Sequence, residues 1–204
     1  RIDGAGRNLT QYDALTFWVK SSQGVIVGEF GFGEDFLENK YVATRINVSV
    51  GTNWTKVIIP IPDASVLQQE KGMFRYAAGT QGTNGFGYTL WLDEIKFEKL
   101  GTISIVNAFI LNGEDRSIEG FAGSNQIINQ LGAIYNLANG QNVTVSAAPS
   151  YFTFDSSNTD LTSPFTLNNM GQMFTSIVGA SGSAVVTGQL GNVPAQGSLT
   201  INAV

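Results

Sequence analysis

The chain has 204 residues, enough for one large domain or two ordinary ones, and 43% of them are hydrophobic while only 13% are charged. That mix buries a core, and it is not the mix of a disordered chain. The net charge of −5 with no long basic run argues against a nucleic-acid partner. With no Cys and no His, thiolate nucleophiles, imidazole general bases and Cys/His zinc sites are excluded. No apolar run approaches the ~18 residues that a membrane helix needs.

The first half reads as a string of strands joined by turns. ALTFWVK alternates, with Leu15, Phe17 and Val19 on one face and Thr16, Trp18 and Lys20 on the other. VIVGEFGFG follows a Ser-Ser-Gln-Gly turn, and the acidic loop EDFLENK comes next. YVATRINVSV alternates cleanly, which predicts that Val42, Thr44, Ile46, Val48 and Val50 face the core and that Arg45 and Asn47 face away. In WTKVIIPIP the residues Thr55, Val57, Ile59 and Ile61 share a face, and Pro60 and Pro62 end the strand or hold it at an edge. DASVLQQEKG suits a short helix or turn. MFRYAAG is a further strand, separated by TQGTNG from the strand FGYTLWLDEIKFEKL.

That last strand changes phase. Tyr88, Leu90 and Leu92 alternate with Thr89, Trp91 and Asp93, but the next apolar residues are Ile95 and Phe97. An acidic pair, Asp93-Glu94, stands at the slip.

The texture changes near Leu100, and Lys and Arg vanish after Arg116. ISIVNAFILNG opens a second series of strands, continued by IYNLANGQNVTVSAAPSYFTFDS, PFTL and SAVVTGQLGNVPAQGSLTINAV. NGEDRSIE, from Asn112 to Glu119, reads as an exposed charged turn. In GSNQIINQLGAIYNL the residues Ile127, Ile128, Leu131 and Ile134 have helical spacing, while the Gly and Asn content argues for a loop with a short turn. The connection KLGT is too short for a free linker, so two domains divided at about residue 100 should touch.

Three ordered pieces carry a resemblance: LTQYDALTFWVKSS at 9–22, NWTKVIIPIPD at 53–63 and YTLWLDEIKFE at 88–98. Together they resemble the later strands of the galactose-binding-like jelly rolls found in many bacterial carbohydrate-binding modules. From YFTFDSSN to GQLGNVPAQGSLTINAV the second half is similar to bacterial Ig-like domains. The resemblance implies an all-β chain: a jelly-roll-like β-sandwich over 1–100, then an Ig-like β-sandwich over 101–204.

The jelly roll that it resembles opens with two or three strands before the one containing Trp18. The expectation is therefore that a second chain or a missing segment supplies neighbours for that strand and completes the first sandwich. In the resembled family the Asp of the last strand often helps to hold a structural calcium, which needs a hub of hard oxygens. Asp93 matches that position. Its other reading is a hydrogen bond to a bulged backbone.

Strand alternation turns Trp18 and Trp91 away from the core. A flat indole on an outer sheet face is a surface on which sugar rings stack. Its alternative is packing against a loop or the second domain. Arg45, Glu29 and Arg75 offer groups for paired hydrogen bonds to sugar hydroxyls. Trp54 heads its strand and reads as a core or rim residue. Glu34, Asp35 and Glu38 share one loop, where carboxylates are usually solvated rather than opposed across a glycosidase cleft. The expected function is non-catalytic glycan binding, with a polysaccharide or oligosaccharide as ligand, in a secreted or surface-attached bacterial protein. The alternative is a structural or adhesive stalk with a protein partner, which requires Trp18 and Trp91 to be buried at the domain junction.

Overall fold

The computed structural model describes residues 4–36, 39–168 and 170–204. Glu38, the third carboxylate of the acidic loop, lies outside them. The chain is all-β and builds sheet-against-sheet layers from seventeen strands among the described residues. In the first half these are β1 (Ala14–Ser21), β2 (Val25–Phe32), β3 (Ala43–Val50), β4 (Thr55–Pro60), β5 (Arg75–Ala77) and β6 (Leu90–Glu98). One sheet has the order β4-β1-β6, and the facing one begins β5-β2-β3. Leu15, Phe17 and Val19 of β1 are fully buried, as their alternation predicts, and so are Phe30 and Phe32 of β2. The Phe17 and Phe30 rings meet across the layers with centroids 4.9 Å apart, and Phe32 meets Phe97 edge-on at 5.5 Å. Buried aromatic pairs of this kind add to the area term of the core. DASVLQQEKG forms one 3-10 turn at Ala64–Val66, capped by Asp63, whose carboxylate accepts the Ser65 N–H.

β1 is central and is paired along both edges, with β4 and β6. This corrects the expectation that its neighbours come from outside the chain. Among the described residues the layer is nonetheless three strands wide. β6 is its edge, and Asp93, Glu94, Ile95 and Lys96 of that strand are all exposed. A cleft of about 720 Å³ runs along this side, where Leu9, Tyr12, Phe74 and Phe97 share the lining with Arg7 and Lys96.

Two strands break the alternation read from the sequence. Between β1 and β6 the register shifts, so that Glu94 and Ile95 together oppose Phe17, and Glu94 adopts a left-handed backbone at φ 48°. The phase slip is therefore a β-bulge. The other break is in β3, where Asn47 is left-handed at φ 53°. The slip leaves Ile46 59% exposed and turns Arg45 to the core side, opposite the buried Phe30. Side-chain period is two, so one irregular residue moves every side chain beyond it to the other face.

The second half holds β7 (Ser104–Phe109), β8 (Asp115–Gly120), β9 (Asn125–Ile128), β10 (Gly132–Asn136), β11 (Asn142–Ala147), β12 (Phe152–Ser156), β13 (Thr166–Leu167), β14 (Met173–Ser176), β15 (Gly182–Leu190), β16 (Val193–Gln196) and β17 (Ser198–Ala203). β8 corrects the reading of NGEDRSIE as a turn: it pairs in parallel with β17, and Ile118 lies opposite Ile201. GSNQIINQLGAIYNL is neither a helix nor a loop with a turn but two strands, β9 and β10, in different sheets.

The halves join edge to edge. β3 pairs with β11 through Thr44–Ser146 and Ala43–Ala147, which continues the β5-β2-β3 sheet through β11-β10-β7-β16-β15-β17-β8. The Ala148 N–H extends the seam to the Val42 carbonyl at 2.8 Å. At the connection itself, the Asp13 carboxylate accepts the backbone N–H groups of Leu100 and Gly101, each at 2.7 Å. The buried apolar residues of both halves form one connected cluster.

Candidate ligand-binding face

The outer face of the β4-β1-β6 sheet is organised in rows that cross the strands. The first row is Trp54, Lys20 and Trp91. Lys20 lies opposite Trp91 in the register, and Trp54 stands one residue before β4. The Lys20 ammonium rests 4.9 Å from the Trp54 ring centroid and 5.1 Å from that of Trp91, so two indoles flank one cation. The second row is Lys56, Trp18 and Asp93. Trp18, Trp54 and Trp91 are 36%, 42% and 44% exposed.

The third row is polar and self-satisfied. The Glu98 carboxylate accepts from the Thr16 hydroxyl at 2.7 Å and from the Lys56 ammonium at 2.9 Å, and pairs with Lys96 at 2.8 Å. The Lys96 bond first, then those from Thr16 and Lys56, hold the Glu98 pKa down at about 2. The apolar side chains of β1 and β4 turn inward because the core lies there, which leaves the indoles and charges of the alternate positions together outside.

Asp93 belongs to the bulge. Its Oδ1 accepts the Glu94 N–H at 2.8 Å, which satisfies a donor that the broken ladder leaves over. Among the described residues no group of three or more carboxylate, His or Cys side chains is gathered for a metal ion.

The remaining predicted residues are elsewhere. Glu29 and Arg75 meet on the outer face of the other sheet, 3.1 Å apart, and Arg75 also pairs with Glu34 at 2.9 Å. Both ion pairs occupy groups that were candidates for sugar hydroxyls. Arg45 spans the layers, and its Nη1 donates to the Ile58 carbonyl at 2.9 Å. Burial lowers its pKa. The fold thus brings Trp18 and Trp91 together and keeps Arg45, Glu29 and Arg75 away from them.

Trp54 is the residue that sequence reading passed over. The signal was present: Trp54, Lys56 and Ile58 alternate against the buried Val57 and Ile59, which turns Trp54 outward with Lys56. Lys20 was legible as outward-facing, but not as the cation between two rings. No protein-family model matches this chain, and no curated protein matches it.

Proposed function

We propose that this chain is a non-catalytic glycan-binding module that takes its ligand on the outer face of the β4-β1-β6 sheet. The observation that carries the reading is the grouping of Trp18, Trp54 and Trp91, three partly exposed indoles on one face with ammonium and carboxylate groups between them. Pyranose rings present apolar C–H faces to an indole, and their hydroxyls take hydrogen bonds from flanking charges. Exposure of the indoles favours this reading over a stalk with a protein partner, which needs them buried at the domain junction.

The setting is an accessory part of a secreted or cell-surface bacterial protein that degrades or captures polysaccharide. Among the described residues no helix is long and apolar enough to cross a membrane. An extended strand lying along the free edge of β6 would fill the cleft beside Phe74 and Phe97 and complete the first sandwich; unpaired backbone groups of an edge strand accept such a partner. A structural calcium at Asp93 would draw its remaining oxygens from that same added segment.

Affinity electrophoresis against plant glucans, xylans and mannans, together with acidic polysaccharides, tests the reading. Retardation by at least one polymer, reduced in Trp18→Ala without loss of the folded state, is the expected result. Wild-type mobility unchanged by every polymer would overturn it.

A further inference from the structure

We infer that the Trp54–Lys20–Trp91 row selects an acidic sugar, one whose carboxylate seats on the Lys20 ammonium. The inference rests on the glycan-binding reading and adds the chemical class of ligand. On this face three cations stand side by side, and two of them, Lys56 and Lys96, are already neutralised by Glu98. Lys20 differs: among the described residues its ammonium makes no hydrogen bond and no ion pair, and it lies over the two indole rings.

Ring faces stabilise an ammonium electrostatically but offer no lone pair in the geometry of an oxygen acceptor. The three N–H donors of the group are therefore left for solvent or ligand, and the flanking rings remove water from two sides of it. A carboxylate supplies both the missing charge and the missing acceptors. Such charge-assisted bonds are shorter and roughly twice as strong as those to a neutral hydroxyl. The one carboxylate of the neighbouring row, Asp93, is turned to the Glu94 N–H of its own bulge. A uronate stacked on Trp91 or Trp54 would meet Lys20 directly, one row removed from Asp93.

The test uses the full chain and pairs of polymers that differ in charge alone: polygalacturonate, alginate and a glucuronate-containing glycan, each beside its methyl-esterified form. Wild-type protein is expected to bind an acidic polymer about tenfold more tightly than its ester, the size of one charge-assisted bond. Lys20→Gln should abolish that ratio, and Lys20→Arg should keep it. Equal binding of acid and ester, or a preference for neutral glucans, overturns the charge selection while the glycan-binding reading stands. Binding to no polymer, charged or neutral, overturns both. Loss of binding in Lys20→Arg as well as Lys20→Gln, with melting temperatures unchanged, assigns Lys20 to packing of the indoles and also overturns the inference.

Discussion

The Tyr151 hydroxyl, from the second half of the chain, donates to the Tyr41 carbonyl oxygen of the first at 2.8 Å. Their rings lie 5.5 Å apart, directly beside the β3–β11 seam. Tyr151 is buried, and so is Tyr135. Burial first, and then the nearby carboxylates Glu70 and Asp63, push the Tyr151 pKa well above its ordinary value; burial with Asp63 raises that of Tyr135. A raised folded-state pKa contributes stability that is complete below the unfolded value of about 10 and is lost as pH climbs through the folded value. Alkaline titration followed by tyrosinate absorbance should show these two side chains ionising only as the protein unfolds. Tyr151→Phe should lower stability by about 1 kcal/mol, measured by urea denaturation, and Tyr41 should be freed of its partner without exposing the seam.

Asp13 fixes the connection between the halves. Its two carboxylate oxygens take both N–H groups at Leu100 and Gly101. Asp13→Ala removes two charge-assisted bonds and should destabilise by roughly 2–4 kcal/mol. Thermal melting reads this directly. A change below a few tenths of a kcal/mol would show that water replaces the carboxylate without cost.

Glu94 occupies a conformation that disfavours a side chain. Glu94→Gly should stabilise the protein by about 0.5–1 kcal/mol, the αL strain relieved less the added chain entropy. Chemical denaturation of the variant checks the sign; destabilisation would mean that the Glu94–Lys96 contact or the chain entropy outweighs the strain.

Glu98 links stability to acid. Its pKa is held at about 2, below the ordinary carboxylate value, so its contribution is complete above about pH 4.5 and fades as pH falls toward 2. Glu98→Gln should flatten the melting profile across that window. The same variant leaves Lys56 without its ion pair on the candidate face and Lys96 with only the longer contact to Glu94 at 3.8 Å, and should raise affinity for acidic polymers if they bind there.

Trp54→Ala should weaken glycan binding by on the order of 1 kcal/mol, as one stacking surface is lost. Trp54 is exposed at the strand end, so the melting temperature should move little. Unchanged affinity beside a weakened Trp18→Ala variant would restrict the site to the second row.

Local chemistry determined a good deal of this chain. Period-two alternation in ALTFWVK and TKVIIP is enough to bury Phe17 and Ile59 and to turn Trp18 outward, because in a strand successive side chains must leave opposite faces. The stall at Asp93-Glu94 was visible as a phase slip, and the bulge is its cause. What the tertiary structure alone decided is everything that depends on partners distant in sequence. Nothing near Arg45 announced that a left-handed Asn47 would swing it inward toward the Ile58 carbonyl, since the alternation of β3 taken alone is regular. NGEDRSIE is polar enough for a turn and became β8 because β17, more than seventy residues later, offered it a parallel edge. Glu29 and Arg75 were available for ligand until the β2–β5 pairing set them against each other. Trp54, Lys20 and Trp91 became one row by the registers of three strands drawn from across the first half. Backbone hydrogen bonding fixes which strand edges meet, and that meeting, not the residues singly, turns outward-facing side chains into a candidate site.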